Sequence, residues 1–136
     1  MPRTQVLSHV AMSVPTGTLT GEYRERVLDF YGRIFGWREL ESLRRPDRLT
    51  IAVGASYINV RERADAPAYS GYEHFGVSFP TAEELKAAWQ RAHDDPSVDD
   101  GTLEPIEDTA DGFVTFRLRY LLPLTVEAQY FPPSGA

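Results

Sequence analysis

Seven residues of this chain occur twice: His9-Val-Ala-Met-Ser-Val-Pro15 returns as His74-Phe-Gly-Val-Ser-Phe-Pro80. His, Ser and Pro match in register, and every other position exchanges one apolar or small residue for another. Each copy runs into a helical pattern. The sequence therefore reads as two copies of one supersecondary unit, with repeats over 5–63 and 71–132 inside a single domain of 136 residues. No other feature constrains the fold as strongly, because every element found in one half has to be sought in the other.

Both copies alternate as half-buried strands do. Val10, Met12 and Val14 take one face, and His9, Ala11 and Ser13 the other. In the second copy Phe75, Val77 and Phe79 oppose His74, Gly76 and Ser78. Beyond the histidine, the second face of each strand is small and polar, which leaves room for a cleft. A helix over Gly21–Phe35 follows the first strand and stops at Gly36; a second over Thr81–His93 opens on the capping pair Thr81 and Glu84. Alternation and turn signals place three strands after each helix. They are Arg38–Leu43, Leu49–Val53 and Ser56–Glu62, then Leu103–Ile106, Gly112–Tyr120 and Leu124–Phe131. Each half is βαβββ, and the expected architecture is an α+β fold whose two modules form a cleft-bearing, partly closed mixed sheet.

Several function classes are disfavoured by composition. With a formal net charge of -6 the chain lacks the basic surface of a nucleic-acid binder. No run of apolar residues reaches the length of a membrane span. There are no cysteines, so disulfides, thiolate nucleophiles and zinc-thiolate centres are excluded. Met-Pro-Arg-Thr-Gln has no signal-peptide character, and the expectation is a cytoplasmic protein. The acidic stretch Asp94 to Gly101 reads as a solvated loop. His93 reads as a solvated helix-end residue with no role. Trp37 and Trp89 read as core or subunit contacts.

Superposing the last strands of the halves aligns Asn59 with Glu127. Glu127 lies among Leu124, Val126, Ala128 and Tyr130, where an ionised carboxylate needs a partner. A metal ion held by His9, His74 and Glu127 meets that need. Two imidazoles and one carboxylate with open positions suit Fe(II) and also accept Mn, Ni, Co or Zn. By alternation, Tyr57, Asn59, Arg61, Thr125 and Gln129 share the histidine faces and are candidate substrate-lining residues. Arg117 and Arg119 alternate with Phe116 and Leu118; with Arg61 they are placed either to clamp a carboxylate or phosphate or to form a solvated rim.

The βαβββ–βαβββ order resembles the vicinal oxygen chelate superfamily, whose members include glyoxalase I, fosfomycin-resistance thiol transferases, extradiol dioxygenases and bleomycin-resistance proteins. The resemblance runs from about Val6 to Pro132. It is carried by Leu7-Ser8-His9-Val10-Ala11, Asp29-Phe30-Tyr31 with Ile34-Phe35-Gly36-Trp37, Tyr72-Glu73-His74-Phe75 and Val126-Glu127. It implies metal positions at His9, Asn59, His74 and Glu127, with Asn59 standing where glyoxalase I has a carboxylate or glutamine. No carboxylate falls on Ile51-Ala52-Val53, which disfavours epimerase chemistry. Tyr120-Leu121-Leu122-Pro123 replaces the superfamily's usual turn before the last strand. The function so implied is a divalent-metal-dependent enzyme acting on a small oxygen-bearing substrate, with vicinal oxygens bound to the metal and Glu127 as ligand and proton carrier. The alternative is a non-enzymatic binding protein of the bleomycin-sequestering kind. A homodimer is implied as well, and the aromatic residues Tyr23, Phe30, Tyr31 and Phe35 exceed what one helix stripe needs.

Overall fold

The structure is a computed structural model and describes residues 5–99 and 102–133. The last two residues of the acidic Asp94 to Gly101 stretch fall outside that range. The chain divides into two compact units, Met1–Ala68 and Tyr69–Ala136. Each holds one helix and one four-stranded mixed sheet, so the α+β class and the repeated module follow the sequence pattern.

In the first unit the elements are β1 (His9–Pro15), α1 (Gly21–Phe35), β2 (Arg38–Glu39), β3 (Arg48–Val53) and β4 (Ser56–Arg63). The sheet order is β1-β4-β3-β2, with β1 parallel to β4 and the remaining pairs antiparallel. Thr20 caps α1 by accepting a hydrogen bond from the Tyr23 N–H, and Gly36 ends it in the left-handed conformation at φ 76°. Period-two burial holds on β1 and β4, where Met12, Val14, Ile58 and Val60 are buried; β3 buries Leu49, Thr50 and Ile51 in succession, and the helix buries Val27, Phe30, Tyr31 and Ile34. Aromatics of α1 stack within the unit, Tyr31 on Phe35 and on Trp37 with centroids 6.1 and 5.0 Å apart. The excess over one stripe thus has an internal use.

The expected strand Arg38–Leu43 is shorter than its pattern. Only Arg38 and Glu39 pair with β3, and Glu41–Leu43 form a 3-10 turn. The cause lies in the hairpin that follows. Arg45 and Arg48 bridge across Pro46-Asp47, and the Arg24 guanidinium donates to the carbonyls of Leu19, Arg45, Pro46 and Arg48. A cation satisfying four carbonyls fixes this turn from outside the segment, which no local pattern reveals.

The second unit holds β5 (His74–Ser78), α2 (Ala82–His93), β6 (Glu107–Asp108), β7 (Val114–Leu118) and β8 (Thr125–Tyr130). Its order, β5-β8-β7-β6, repeats the first, again with a parallel pair at one edge. The capping pair forms as expected, Thr81 Oγ1 accepting from the Glu84 N–H at 3.1 Å. Leu103–Ile106 is not a strand. Leu103 makes a single bridge to Leu118, and the pairing with β7 falls instead on Glu107 and Asp108. The Trp89 indole N–H donates to the Glu104 carbonyl at 2.9 Å, while the Glu104 N–H donates to the Arg117 carbonyl, so the segment meets the sheet edge for one bridge only. His93 stacks on Trp89 at the end of α2. In the Tyr120–Pro123 loop, Leu121 adopts φ 62°, a conformation glycine ordinarily supplies. No described helix is long and apolar enough to cross a membrane.

Candidate functional site

The polar face of each sheet is assembled by the same register. In the first unit His9 pairs with Tyr57, and the small residue two places on, Ala11, pairs with Asn59. In the second His74 pairs with Thr125, and Gly76 pairs with Glu127. Asn59 and Glu127 are therefore equivalent positions, as superposition of the sequence halves requires.

Glu127 is the centre of the second face. Only 8% of the residue is exposed, and both carboxylate oxygens are engaged. Oε2 accepts from Thr115 Oγ1 and from Gln129 Nε2, each at 3.0 Å. Oε1 lies 3.3 Å from His74 Nε2 and 3.3 Å from an Arg117 guanidinium nitrogen. Thr115 Oγ1 is also 2.9 Å from the Ala128 carbonyl, so its single proton serves one of two acceptors at a time.

The imidazole of His74 is oriented from behind. Nδ1 lies 2.6 Å from the Tyr72 carbonyl oxygen, an atom that only accepts, so Nδ1 carries a proton. In a neutral ring Nε2 then presents its lone pair to Glu127 Oε1. Two acceptors 3.3 Å apart repel unless a proton or a metal cation lies between them or a neighbouring cation compensates. An outer carbonyl that orients a histidine in this way is the usual support of an imidazole ligand.

The loop before His74 is tied down by a carboxylate. Glu73 accepts from the Ser70 N–H at 2.9 Å and from the Ser70 hydroxyl at 2.8 Å. Hydrogen bonds from its own backbone and from Ser70 hold the Glu73 carboxyl below the usual glutamate range. Because the folded value is depressed, the contribution is complete above the ordinary glutamate pKa and is lost as pH falls through the folded value. The Tm advantage of the wild type over Ser70→Ala is expected to shrink over that acidic interval; an advantage independent of pH would refute this role.

Gly76 makes room for the network. A Cβ at this position would lie 2.8 Å from Gln129 Oε1. Gly76→Ala is expected to push Gln129 off Glu127 and destabilise the protein by about 1 kcal/mol, the usual net value of one hydrogen bond. In a double-mutant cycle the cost should fall when Gln129 is already alanine. Full additivity of the two changes would show that Gly76 acts elsewhere.

The remaining candidates are distributed more widely. His9 is exposed, its ring stacked on Tyr57 at 4.7 Å and 3°, with Nδ1 2.8 Å from Ser8 Oγ. Asn59 Oδ1 faces the Thr50 hydroxyl at 3.5 Å. Arg61 is exposed, 3.9 Å from Asp47. Thr125 is buried and donates to the Gly71 carbonyl, and Arg119 reaches the Tyr69 carbonyl at 3.4 Å; both brace the loop before β5. Thr115, which no sequence motif marked, shares the face of Arg117 and contacts Glu127. Its alternation with Arg117 was the available signal. Among the described residues no three His, Asp or Glu side chains are grouped as metal ligands.

No protein-family model matches the chain, and no curated protein matches it. Solved structures do. A glyoxylase/bleomycin resistance protein/dioxygenase domain from Frankia sp. EAN1pec is 17% identical with a TM-score of 0.68, covering 98% of this chain and 96% of its own. The fold is the vicinal oxygen chelate fold. Lactoylglutathione lyase from Agrobacterium tumefaciens shares that fold at 16% identity and TM-score 0.67, with 95% of this chain and 96% of its own covered. So does the fosfomycin resistance protein FosX from Listeria monocytogenes, at 14% identity and TM-score 0.67, covering 96% and 97%. Such distant likeness carries the vicinal oxygen chelate fold and leaves the activity to the side chains.

Proposed function

We propose that the protein is a divalent-metal-dependent enzyme acting on a small oxygen-bearing substrate, with His9, His74 and Glu127 as metal ligands. The observation behind this reading is the pairing of His74 Nε2 with Glu127 Oε1 at 3.3 Å, each group already held by its other heteroatom. Two ligand atoms of one ion lie at about this separation when each is about 2.1 Å from it. His74 and Glu127 fit a metal in donor type and orientation; His9, from the first unit, would complete the set. A bound ion, whether Fe, Mn, Ni, Co or Zn, supplies Lewis acidity toward vicinal substrate oxygens. Around it, Thr115 and Gln129 would fix Glu127 Oε2, and Oε1, beside His74 and Arg117, would be the atom that meets the metal or a substrate proton. Arg117, half-exposed, pairs with an anionic substrate oxygen once it leaves Glu127. Tyr57, Asn59, Arg61, Arg119, Thr125 and Gln129 complete the substrate-lining faces, Thr125 and Arg119 through the loop they brace. A homodimer in the cytoplasm is the setting this reading assigns.

A second reading draws on a specific observation. Arg117 already compensates Glu127, and no full ligand set is grouped among the described residues. The protein would then bind a small molecule without an ion, as a sequestering protein does. Metal analysis of chelator-free protein separates the two. Near-stoichiometric metal that disappears in His74→Ala supports the enzyme. Metal well below stoichiometry, with no change in His74→Ala and no thermal stabilisation by Fe, Mn, Ni, Co or Zn, would eliminate it in favour of metal-free binding.

A further inference from the structure

The two polar faces differ in charge: the first sets two arginines opposite each other with no internal carboxylate between them, and its carboxylate partner is a single exposed aspartate. In the second unit Thr115 and Gln129 are cross-strand partners, and both donate to the Glu127 carboxylate beside them. The equivalent partners in the first unit are Arg48 of β3 and Arg61 of β4. The neighbouring position there is Asn59, a neutral amide that faces Thr50. An internal carboxylate thus holds the donors of the second unit, Arg117 among them, while the paired guanidinium groups of the first unit have a neutral amide in its place.

Like charges directly opposite on a sheet repel. The surroundings relieve little of this. Arg48 Nε is closed off from solvent and has no hydrogen-bond partner among the described residues. Leaving such a donor unpaired is costly, more so when it is charged. The carboxylate nearest Arg61, Asp47, is 3.9 Å away, and both side chains are more than half exposed, which makes the pair weak. The position is also built to be rigid. Arg24 ties down the Arg45–Arg48 turn through three of its carbonyls, so the strand start that carries Arg48 is fixed.

We propose that Arg48 and Arg61 form a subsite for an oxyanion, a carboxylate or phosphate group of the substrate. The terminal nitrogens of the two guanidinium groups match either group, while the enclosed Nε–H of Arg48 reports on charge placed beside it. The proposal rests on the reading of this face as substrate-lining, and it adds a constraint on the ligand. The Ser13–Arg61 row lies four residues along β1 and β4 from the His9–Tyr57 row. At roughly 3.3 Å per residue that is about 13 Å, so a ligand reaching both rows is elongated and carries its anionic group at one end.

The test is an NMR titration of the metal-free, chelator-treated chain with sodium phosphate and, separately, sodium acetate, with ionic strength held constant by chloride. The Nε–H resonances of Arg48 and Arg61 are the readout. A saturable shift in both, with a Kd of about 10 mM or tighter for either anion, is expected. Arg48→Gln and Arg61→Gln should each weaken it by about 10-fold, and Arg33→Gln on α1 should leave it unchanged. The tighter anion identifies the substrate group. Shifts that fail to saturate, or that are equally reduced in Arg33→Gln, would overturn the subsite. Arg61 is exposed, so its variant retains the fold and decides the matter if Arg48→Gln does not fold. Because no metal is present, failure here leaves the metal centre standing, and failure of the metal centre leaves this result unaffected.

Discussion

Glu127→Ala is expected to reduce affinity for a divalent ion by at least about 100-fold, since loss of an outer partner alone costs 10- to 100-fold. It should also lower stability by about 2 kcal/mol. The stability term follows from the surroundings of the carboxylate. Breaking a buried ion pair costs about 3–5 kcal/mol because the remaining charge is stranded. Here the partners are not stranded: the side chains of His74 and Arg117 are 27% and 38% exposed and regain water. What is lost is chiefly the pair of hydrogen bonds to Oε2 from Thr115 and Gln129. Thr115→Val separates the two effects, for it removes one outer bond and keeps the ligand. It should cost metal affinity about 10-fold. Calorimetric metal titration and urea denaturation of both variants provide the check. If Glu127→Ala binds metal as the wild type does while losing stability, Glu127 is a structural anion, and metal-free binding becomes the better account.

The largest effect on folding should come from Tyr31→Ala, at about 4 kcal/mol. Tyr31 has no exposed surface, stacks on Trp37 and Phe35, and meets Phe30 edge-on at 5.0 Å. Aromatic pairs of this kind contribute about 0.5–1.5 kcal/mol beyond the area they bury. A domain is stable by only about 5–15 kcal/mol, so the variant should lose a large share of its stability. Urea unfolding monitored by tryptophan fluorescence reads this directly, because Trp37 is part of the cluster. A loss below about 1 kcal/mol would mean the cavity is refilled by its neighbours and the cluster does not hold the first unit together.

Much of the fold was legible because it depends on short-range chemistry. Alternation sorted β1 and β5 into an apolar and a histidine-bearing face, and the burial of Met12 and Val14 agrees. Thr81 with Glu84, and Gly36 after Phe35, mark helix ends through bonds that close within a turn. The strand expected over Arg38–Leu43 illustrates the limit. Its residues carry strand-like character, but only Arg38 and Glu39 find a partner on β3. The 3-10 turn that replaces the rest adjoins a hairpin held by Arg24, far away in sequence. Leu103–Ile106 shows the same limit: Leu103 bridges Leu118, but the ladder with β7 falls on Glu107 and Asp108.

The same division runs through the site. The repeated His-x-x-x-Ser-x-Pro motif, read with period two, determined that His9 and His74 stand on small-residue faces and that Asn59 and Glu127 are counterparts. Those are properties of a strand and its own alternation. Only the tertiary structure decided what each polar group meets. It set Thr115 and Gln129 on one oxygen of Glu127 and His74 and Arg117 at the other, and it set Arg48 opposite Arg61. Cross-strand neighbours follow from register, and register follows from hydrogen bonding and burial between segments far apart in the chain, which no window of sequence contains.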